Sequence, residues 1–290
     1  MRTTKTMKGT GMRRASRWLT AIALGLLGAP LPGAAQDWET LSASRREGQV
    51  RAFDVRVRYG VGRFQVRPAE SGVLYDVRLR YDKDNFDPVV DYDDGRLEVG
   101  TDARGRNVNV KEDDGEMILQ LSRDVPTELV LEFGAVRANL DLGGLTLTEL
   151  DLQTGASEST VDFSAPNRGR IRTAEMQVGA ADFTARNLGN LNADRLDFSA
   201  GVGEVVLDFG GAWERDMQVD LSMGLGSLEL HIPEGIGVRL TKDSFLTSLD
   251  ASGLVKDGDD WYSRNWDAAD RRLSIDIDAA FGSIRVVQTR

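Results

Sequence analysis

One histidine and no cysteine bound the chemistry open to this chain of 290 residues. A nucleophilic triad or a Cys–His pair would have to be built on His231. That residue stands in LELHIPEG, just before Pro233 and on the same register as Glu229, which reads as a structural histidine at a strand end. No G-x-S-x-G elbow is present, and zinc sites that draw on His and Cys are excluded. The pairs Gly60/Gly62, Gly201/Gly203 and Gly224/Gly226 have G-x-G spacing, but none leads into G-K-[ST] or a helix, so they are turn glycines and not phosphate cradles. No cofactor is expected. Carboxylates are abundant, which keeps open a glycan-acting hydrolase built on paired acids. They also offer two oxygen-rich loops to a hard cation such as calcium: Asp82, Asp84 and Asp87, with Asp91, Asp93 and Asp94 close behind, and Asp257, Asp259 and Asp260. Neither loop has EF-hand spacing and no G-G-x-G-x-D repeat occurs, so the plainer reading is solvated hairpin loops.

The elements that must position these groups are strands, and they repeat. A glycine between two short alternating runs recurs at Gly60, Gly134, Gly155, Gly179, Gly201 and Gly224, with Ala280 in the equivalent place near the C-terminus. From Gly134 to Gly224 the steps are 21, 24, 22 and 23 residues. A period in the twenties is the signature of stacked supersecondary units. Each unit is expected to be a strand, a glycine-centred turn and a second strand, the glycines supplying positive φ or close backbone approach. Short links follow, such as Gly143-Gly144, Asn167-Arg168-Gly169, Asn187-Leu188-Gly189-Asn190 and Gly210-Gly211. LDL (150–152), VDF (161–163), LDF (196–198), VDL (219–221) and IDI (275–277) put apolar residues on one face and acids on the other. One face then builds a continuous core while the other is acidic and wet.

Before the repeats, FDVRVRYG, GRFQVRP, VLYDVRLRYD, RLEVGTD and EMILQLSRDVP alternate at period two, and predict an antiparallel sheet of five or six strands over 51–126. Asp94-Gly95 between two such runs is a hairpin signal. Residues 36–50 are polar and read as a lead-in, with at most a turn or two of helix in 38–48 and 264–270. The repeat domain is expected over 127–290. Its last step, from Gly224 to Ala280, is 56 residues, one repeat plus 33 more. The surplus, 241–273, carries Trp261, Tyr262 and Trp266. It is expected to be an aromatic capping insertion over the end of the stack, or else a ligand groove lined by those rings. The fold class expected is all-β, an N-terminal sheet continuing into a solenoid-like stack.

Residues 1–35 have the layout of a secretory signal peptide: six basic residues and no acid, the apolar stretch WLTAIALGLL (18–27), Pro30 and Pro32, then Gly33-Ala34-Ala35. The stretch is short for a membrane span, and no transmembrane helix is expected in the remainder. The expected location is periplasmic, cell-surface or extracellular. The chain carries 36 basic and 46 acidic residues, a net −10, and −16 once the leader's six basic charges are removed. Nucleic acid and anionic lipid reward basic patches and are not expected partners.

The succession of motifs resembles the bacterial toast-rack family of exported proteins, with its DUF2154-type N-terminal domain. That family is related to the putative-adhesin group and to the C-terminal domain of LiaF-type cell-wall stress proteins. VRVRYGVGRFQVRP (55–68), GVLYDVRLRYD (72–82) and FDPVVDYDDGRLEVG (86–100) are similar to the N-terminal domain. LDLQTGASESTVDFSAPN (150–167), SAGVGEVVLDFGGAWERD (199–216) and SMGLGSLELHIPEGIGVRL (222–240) are similar to the repeat region, and WYSRNW (261–266) with LSIDIDAAFGSIRV (273–286) to the closing segment. The resemblance implies a stacked β fold and an envelope role, and it carries no catalytic residue to this chain. LiaF-type proteins have N-terminal membrane helices where this chain has only a leader. The reading that follows is a non-enzymatic envelope protein, adhesin or stress-related scaffold, which presents an acidic β-surface to an envelope protein or a glycan. The alternatives are a glycan hydrolase and a calcium-stabilised structural module.

Overall fold

A computed structural model describes residues 37–105 and 115–289; the expected leader, 1–35, lies outside them. The strands run β1 Trp38–Arg46, β2 Phe53–Pro68, β3 Val73–Asp82, β4 Phe86–Asp93, β5 Arg96–Ala103 and β6 Glu116–Leu121. They continue with β7 Thr127–Asp141, β8 Leu147–Asp162, β9 Ile171–Arg186, β10 Ala193–Asp208, β11 Met217–Pro233, β12 Gly237–Asp250, β13 Leu254–Asp257, β14 Asp260–Ser263 and β15 Arg272–Thr289. The fold is all-β, with one 3-10 turn among the described residues, at Leu188–Leu191. Among the described residues no helix is long and apolar enough to cross a membrane.

Each repeat is a single long strand and not two strands joined by a turn. In β2 the buried positions are Phe53, Val55, Val57 and Tyr59, then Phe64 and Val66. The parity of burial flips between Tyr59 and Phe64, and a one-residue slip exchanges the faces of a strand. In a straight strand those two Cα atoms would stand about 17 Å apart, yet the rings of Tyr59 and Phe64 are 6.0 Å apart. The strand therefore folds over a corner, and its two arms face each other across the core. The same parity flip occurs in β9, from Ala174, Met176 and Val178 to Ala181, Phe183 and Ala185. Rings from the second arm of one strand meet rings from the first arm of the next: Phe64 with Phe133 at 5.7 Å and Phe183 with Phe198 at 5.5 Å.

Eight bent strands stack in parallel as rungs, in the order β2-β7-β8-β9-β10-β11-β15-β12. The order explains the long last step of the sequence. After β11 the chain passes over one slot, lays down β12, makes the β13–β14 hairpin, and returns as β15 into the slot it left. Met223 pairs with Ala279 and Leu225 with Phe281, so Ala280 does stand in the row of Gly224. The segment 241–273 therefore includes part of a rung. β14 runs antiparallel to the first arm of β12, with Leu240 beside Trp261 and Arg239 beside Tyr262, and β13 completes the order.

At the other end the two arms of β2 part. The first arm pairs with β5, and β5 with β4. The second pairs with β6, which continues through β3 to β1. The stacks Phe53–Tyr75 at 6.3 Å and Tyr75–Tyr92 at 5.7 Å fill the space between them. Asp94 and Gly95 form the two-residue β4–β5 turn, with φ of 38° and 84°, the positive values such a hairpin requires. Residues 38–46, expected as a lead-in with at most a helical turn, are instead strand β1. Its apolar period of two is carried only by Leu41 and Ala43, which pack on the core, and apart from Trp38, whose ring lies under the Arg80 guanidinium, its other side chains are polar, as suits an edge strand. The 264–270 segment does hold a turn, closed by Ala269 N donating to Asn265 O at 2.8 Å.

Candidate interaction surface

Parallel, in-register stacking sets like residues over like, and it converts the sequence motif apolar–acid–apolar into a row. Asp151 lies beside Glu175, Glu175 beside Asp197, Asp197 beside Asp220, and Asp220 beside Asp276. Five carboxylates on adjacent rungs thus occupy the outer face of the first arm, at a rung spacing of about 4.8 Å. Arg195 offsets part of the repulsion. Its Nε donates to Asp197 at 2.6 Å and its guanidinium also pairs with Asp220. Arg239 stands 3.8 Å from Asp276. Burial raises the pKa of the Asp220 carboxyl; Arg195 opposes this, while Asp197 and Asp276 add to it.

Two residues further along each strand, on the same outer face, the row is polar: Arg58, Glu132, Gln153, Gln177 and Ser199. This row walls a groove of about 640 Å³ whose floor includes Gly60, Gly134, Gly155 and Gly179. These glycines, with Gly201 and Gly224, sit at the corner and do not have positive φ. Close approach is what Gly134, Gly179, Gly201 and Gly224 provide: a Cβ on Gly134 would lie 2.5 Å from Gly60 O, and one on Gly201 2.8 Å from Gly179 O, whereas one on Gly60 would meet open space. Positive φ falls two residues later, at Gly62, Gly203, Gly226 and Gly282.

Several of the other residues singled out in the sequence are held by neighbours. His231 Nε2 lies 2.5 Å from Glu229 Oε1, and Glu229 also faces Arg285 at 3.7 Å. Asp82 is buried and accepts hydrogen bonds from Asp84 N at 3.0 Å and Asn85 Nδ2 at 2.7 Å. Asp87 pairs with Arg104, which holds its carboxyl below the usual range. Asp260 accepts from Thr241 and Tyr262 and is likewise depressed. Among the described residues no group of three His, Asp or Glu is arranged to hold a metal ion. Trp261 packs on the core edge with Lys256 Nζ 4.9 Å from its ring. Tyr262 and Trp266 meet edge to face at 5.7 Å, with the Arg272 guanidinium 5.6 Å from the Trp266 ring.

Sequence reasoning took the link asparagines for turn residues and missed their main work. Asn167 is buried, donates to Leu147 O at 3.0 Å and Leu191 O at 3.1 Å, and accepts from Leu147 N at 2.8 Å and Gly169 N at 3.2 Å. Asn190 donates to Phe163 O at 2.7 Å and accepts from Ala212 N at 2.7 Å. Asn192 donates to Gly169 O and accepts from Arg215 Nε, both at 2.6 Å. Together they satisfy link backbone on neighbouring rungs where no strand ladder can. The only signal for them in the sequence was asparagine recurring in successive links.

Residues 34–186 and 173–231 match the family described as the N-terminal domain of toast_rack, DUF2154. No curated protein matches the chain. Among solved structures it is similar to a "putative cell adhesion protein" from Clostridium sporogenes ATCC 15579, at 17% identity over 87% of this chain and 100% of that one, with a TM-score of 0.46. It is also similar to a "putative adhesin" from Bacteroides fragilis NCTC 9343, at 12% identity over 86% and 97%, TM-score 0.36. A third is a "putative lipid binding protein" from Parabacteroides distasonis ATCC 8503, at 12% over 87% and 97%, TM-score 0.36.

Proposed function

The chain belongs to the toast_rack family, and from that premise we propose that it is an exported, non-enzymatic protein of the cell envelope, an adhesin or scaffold that binds through its acid row and the polar groove beside it. The observation that carries this reading is the register of Asp151, Glu175, Asp197, Asp220 and Asp276 on five consecutive rungs. A rigid comb of carboxylates, flanked by the amides of Gln153 and Gln177, suits a partner that offers cations or hydroxyl groups at a regular spacing. An envelope protein with a basic strip and a glycan chain both qualify.

The non-enzymatic reading is supported by Arg195. A paired-acid hydrolase holds its two carboxyls on either side of the scissile bond. Asp197 and Asp220 instead share one guanidinium, which occupies the space between them.

The test is crosslinking of the chain in cells, followed by cell fractionation and identification of what is captured, for the parent and for a triple variant, Asp151→Asn, Asp197→Asn and Asp276→Asn. The proposal expects the chain in the envelope fraction and one recurrent partner that the folded variant loses. Capture unchanged in the variant removes the acid row from the interaction. Glycan hydrolysis that one substitution abolishes replaces this reading with the hydrolase.

A further inference from the structure

The corner carries a second row, formed by the residue that follows the corner position, which is glycine on six rungs, Ala280 on β15 and Phe245 on β12. Val61 lies beside Ala135, and Ala156 beside Ala180. Ala135 and Ala156 are neighbours in the register that sets Phe133 beside Thr154 and Arg137 beside Glu158. Beyond Ala180 come Val202, Leu225, Phe281 and Leu246 on successive rungs. Along the stack the row is therefore alanine on three rungs, with Val61 before them, and large on the next four. The large residues face outward: Val202 is 50% exposed, Leu225 48%, Phe281 44% and Leu246 62%. Of the five large apolar side chains exposed among the described residues, four stand in this one row. Contiguous apolar surface on adjacent rungs marks a contact site. Over the small half the surface dips into a groove of about 400 Å³, floored by Ala156 and Ala180, walled by Glu158 and Asp182, and ending at Val202.

We propose that this row is the contact between two copies of the chain, related by a two-fold axis that lies in the interface, crosses the row at right angles and passes between Ala180 and Val202. Reversal about that axis sets alanine against a larger side chain on the six inner rungs and Val61 against Leu246 at the ends. Ala180 meets Val202, Ala156 meets Leu225, Ala135 meets Phe281, and Val61 meets Leu246, each pair made twice. The ridge of each copy fills the trough of the other. Because ridge and trough lie on one straight row, the contact closes as a dimer and leaves no open end for a filament. Eight rungs at about 4.8 Å make a strip about 34 Å long and one residue row wide, which belongs at the low end of specific interfaces. The dimer is accordingly weak. In the flanking rows Arg58 comes opposite Asp243, which attracts, and Asp182 opposite Glu204, which repels, so the association tightens as salt screens the repulsion of these acidic copies. The acid row lies outside this contact, beyond the polar row that holds Arg58.

The chain has no cysteine, so introduced thiols report contacts without background. The variants Ala156→Cys and Leu225→Cys are purified as full chains and oxidised alone and mixed one to one. The proposal expects a disulfide dimer chiefly in the mixture. Sedimentation of the parent chain should show a concentration-dependent dimer that strengthens with salt, with Leu225→Asp weakening it about tenfold or more. Leu225 is half exposed, and an unchanged melting temperature for Leu225→Ser confirms that loss of the dimer is not loss of the fold. Efficient self-crosslinking of Leu225→Cys places large residues against large and overturns the proposal. So does a monomer at every concentration and salt, and so does a monomer that co-sediments with phosphatidylcholine vesicles through the same residues, which assigns the ridge to lipid.

Discussion

A Cβ placed on Gly224 would lie 2.5 Å from the carbonyl oxygen of Gly201 on the adjacent rung. Backbone, not a mobile side chain, fills the space, so an alanine there must push two rungs apart. Gly224→Ala is expected to destabilise the fold by about 1–3 kcal/mol, the range for overpacking. Gly155 stands in the same row, but a Cβ placed on it would come no closer than 3.5 Å to its nearest neighbour, Gly134 Cα. With its φ outside the left-handed region, Gly155→Ala is expected to be neutral or to stabilise by a few tenths of a kcal/mol through the unfolded chain. Urea unfolding of both variants checks the pair. Equal effects would mean that the corner row does not distinguish its rungs.

The period of those glycines was legible because each repeat is one rung, and the stack holds successive turns to a similar length. Their role was half legible. G-x-G offers two glycines, and only the register shows that Gly201 serves close approach while Gly203, at φ 144°, serves the bend. The acid row was visible as L-D-L and its variants, because burial alternates along a strand whatever lies beside it. What completes the surface was not visible. Arg195 reaches Asp220, 25 positions on, only across a rung boundary, and Leu225, Phe281 and Leu246 come together only because β15 returns between β11 and β12. Strand β1 was missed because an edge strand needs few apolar residues, and Leu41 and Ala43 are too sparse a pattern to read.

Asn167 connects three levels of the link side, through Leu147, its own segment and Leu191. Asn167→Leu keeps the approximate volume and strips these groups of partners in a buried site. A loss of about 3 kcal/mol is expected, since one unsatisfied buried group alone costs about 1–3. Hydrogen exchange should show the Leu147 amide, now protected by Asn167 Oδ1 at 2.8 Å, exchanging far faster. If Leu147 stays protected and the unfolding midpoint holds, the link asparagines are dispensable.

Asp220 predicts a pH dependence of a definite sign. Its folded pKa is raised by burial and by Asp197 and Asp276, against the pull of Arg195. A carboxyl that holds its proton more tightly when folded costs stability where it is ionised, and returns it as pH falls through the raised folded value. The gain levels off below the unfolded value of about 3.9. Asp220→Asn should therefore melt higher than the parent at pH 7, with the difference shrinking towards pH 4. Melting temperatures of both proteins across that range decide the matter. A variant less stable at pH 7 would show that the attraction of Arg195 outweighs the burial.

Trp261 tests whether the β13–β14 hairpin closes the stack. It lies beside Leu240 of the last rung and packs on the edge of the core, with Leu254 and Leu249 in the same cluster. In a stack each rung is stabilised only by its neighbours, so damage at an end propagates as fraying and falls off with distance. Trp261→Ala is expected to cost about 1–3 kcal/mol locally, with faster amide exchange in β12 and β14, a smaller change in β15 and none in β8. The gradient is the informative part. A residue that merely decorates the surface would change exchange nowhere. One that holds the whole fold cooperatively would raise it in β8 as much as in β12, and either pattern would remove the hairpin from the role of cap.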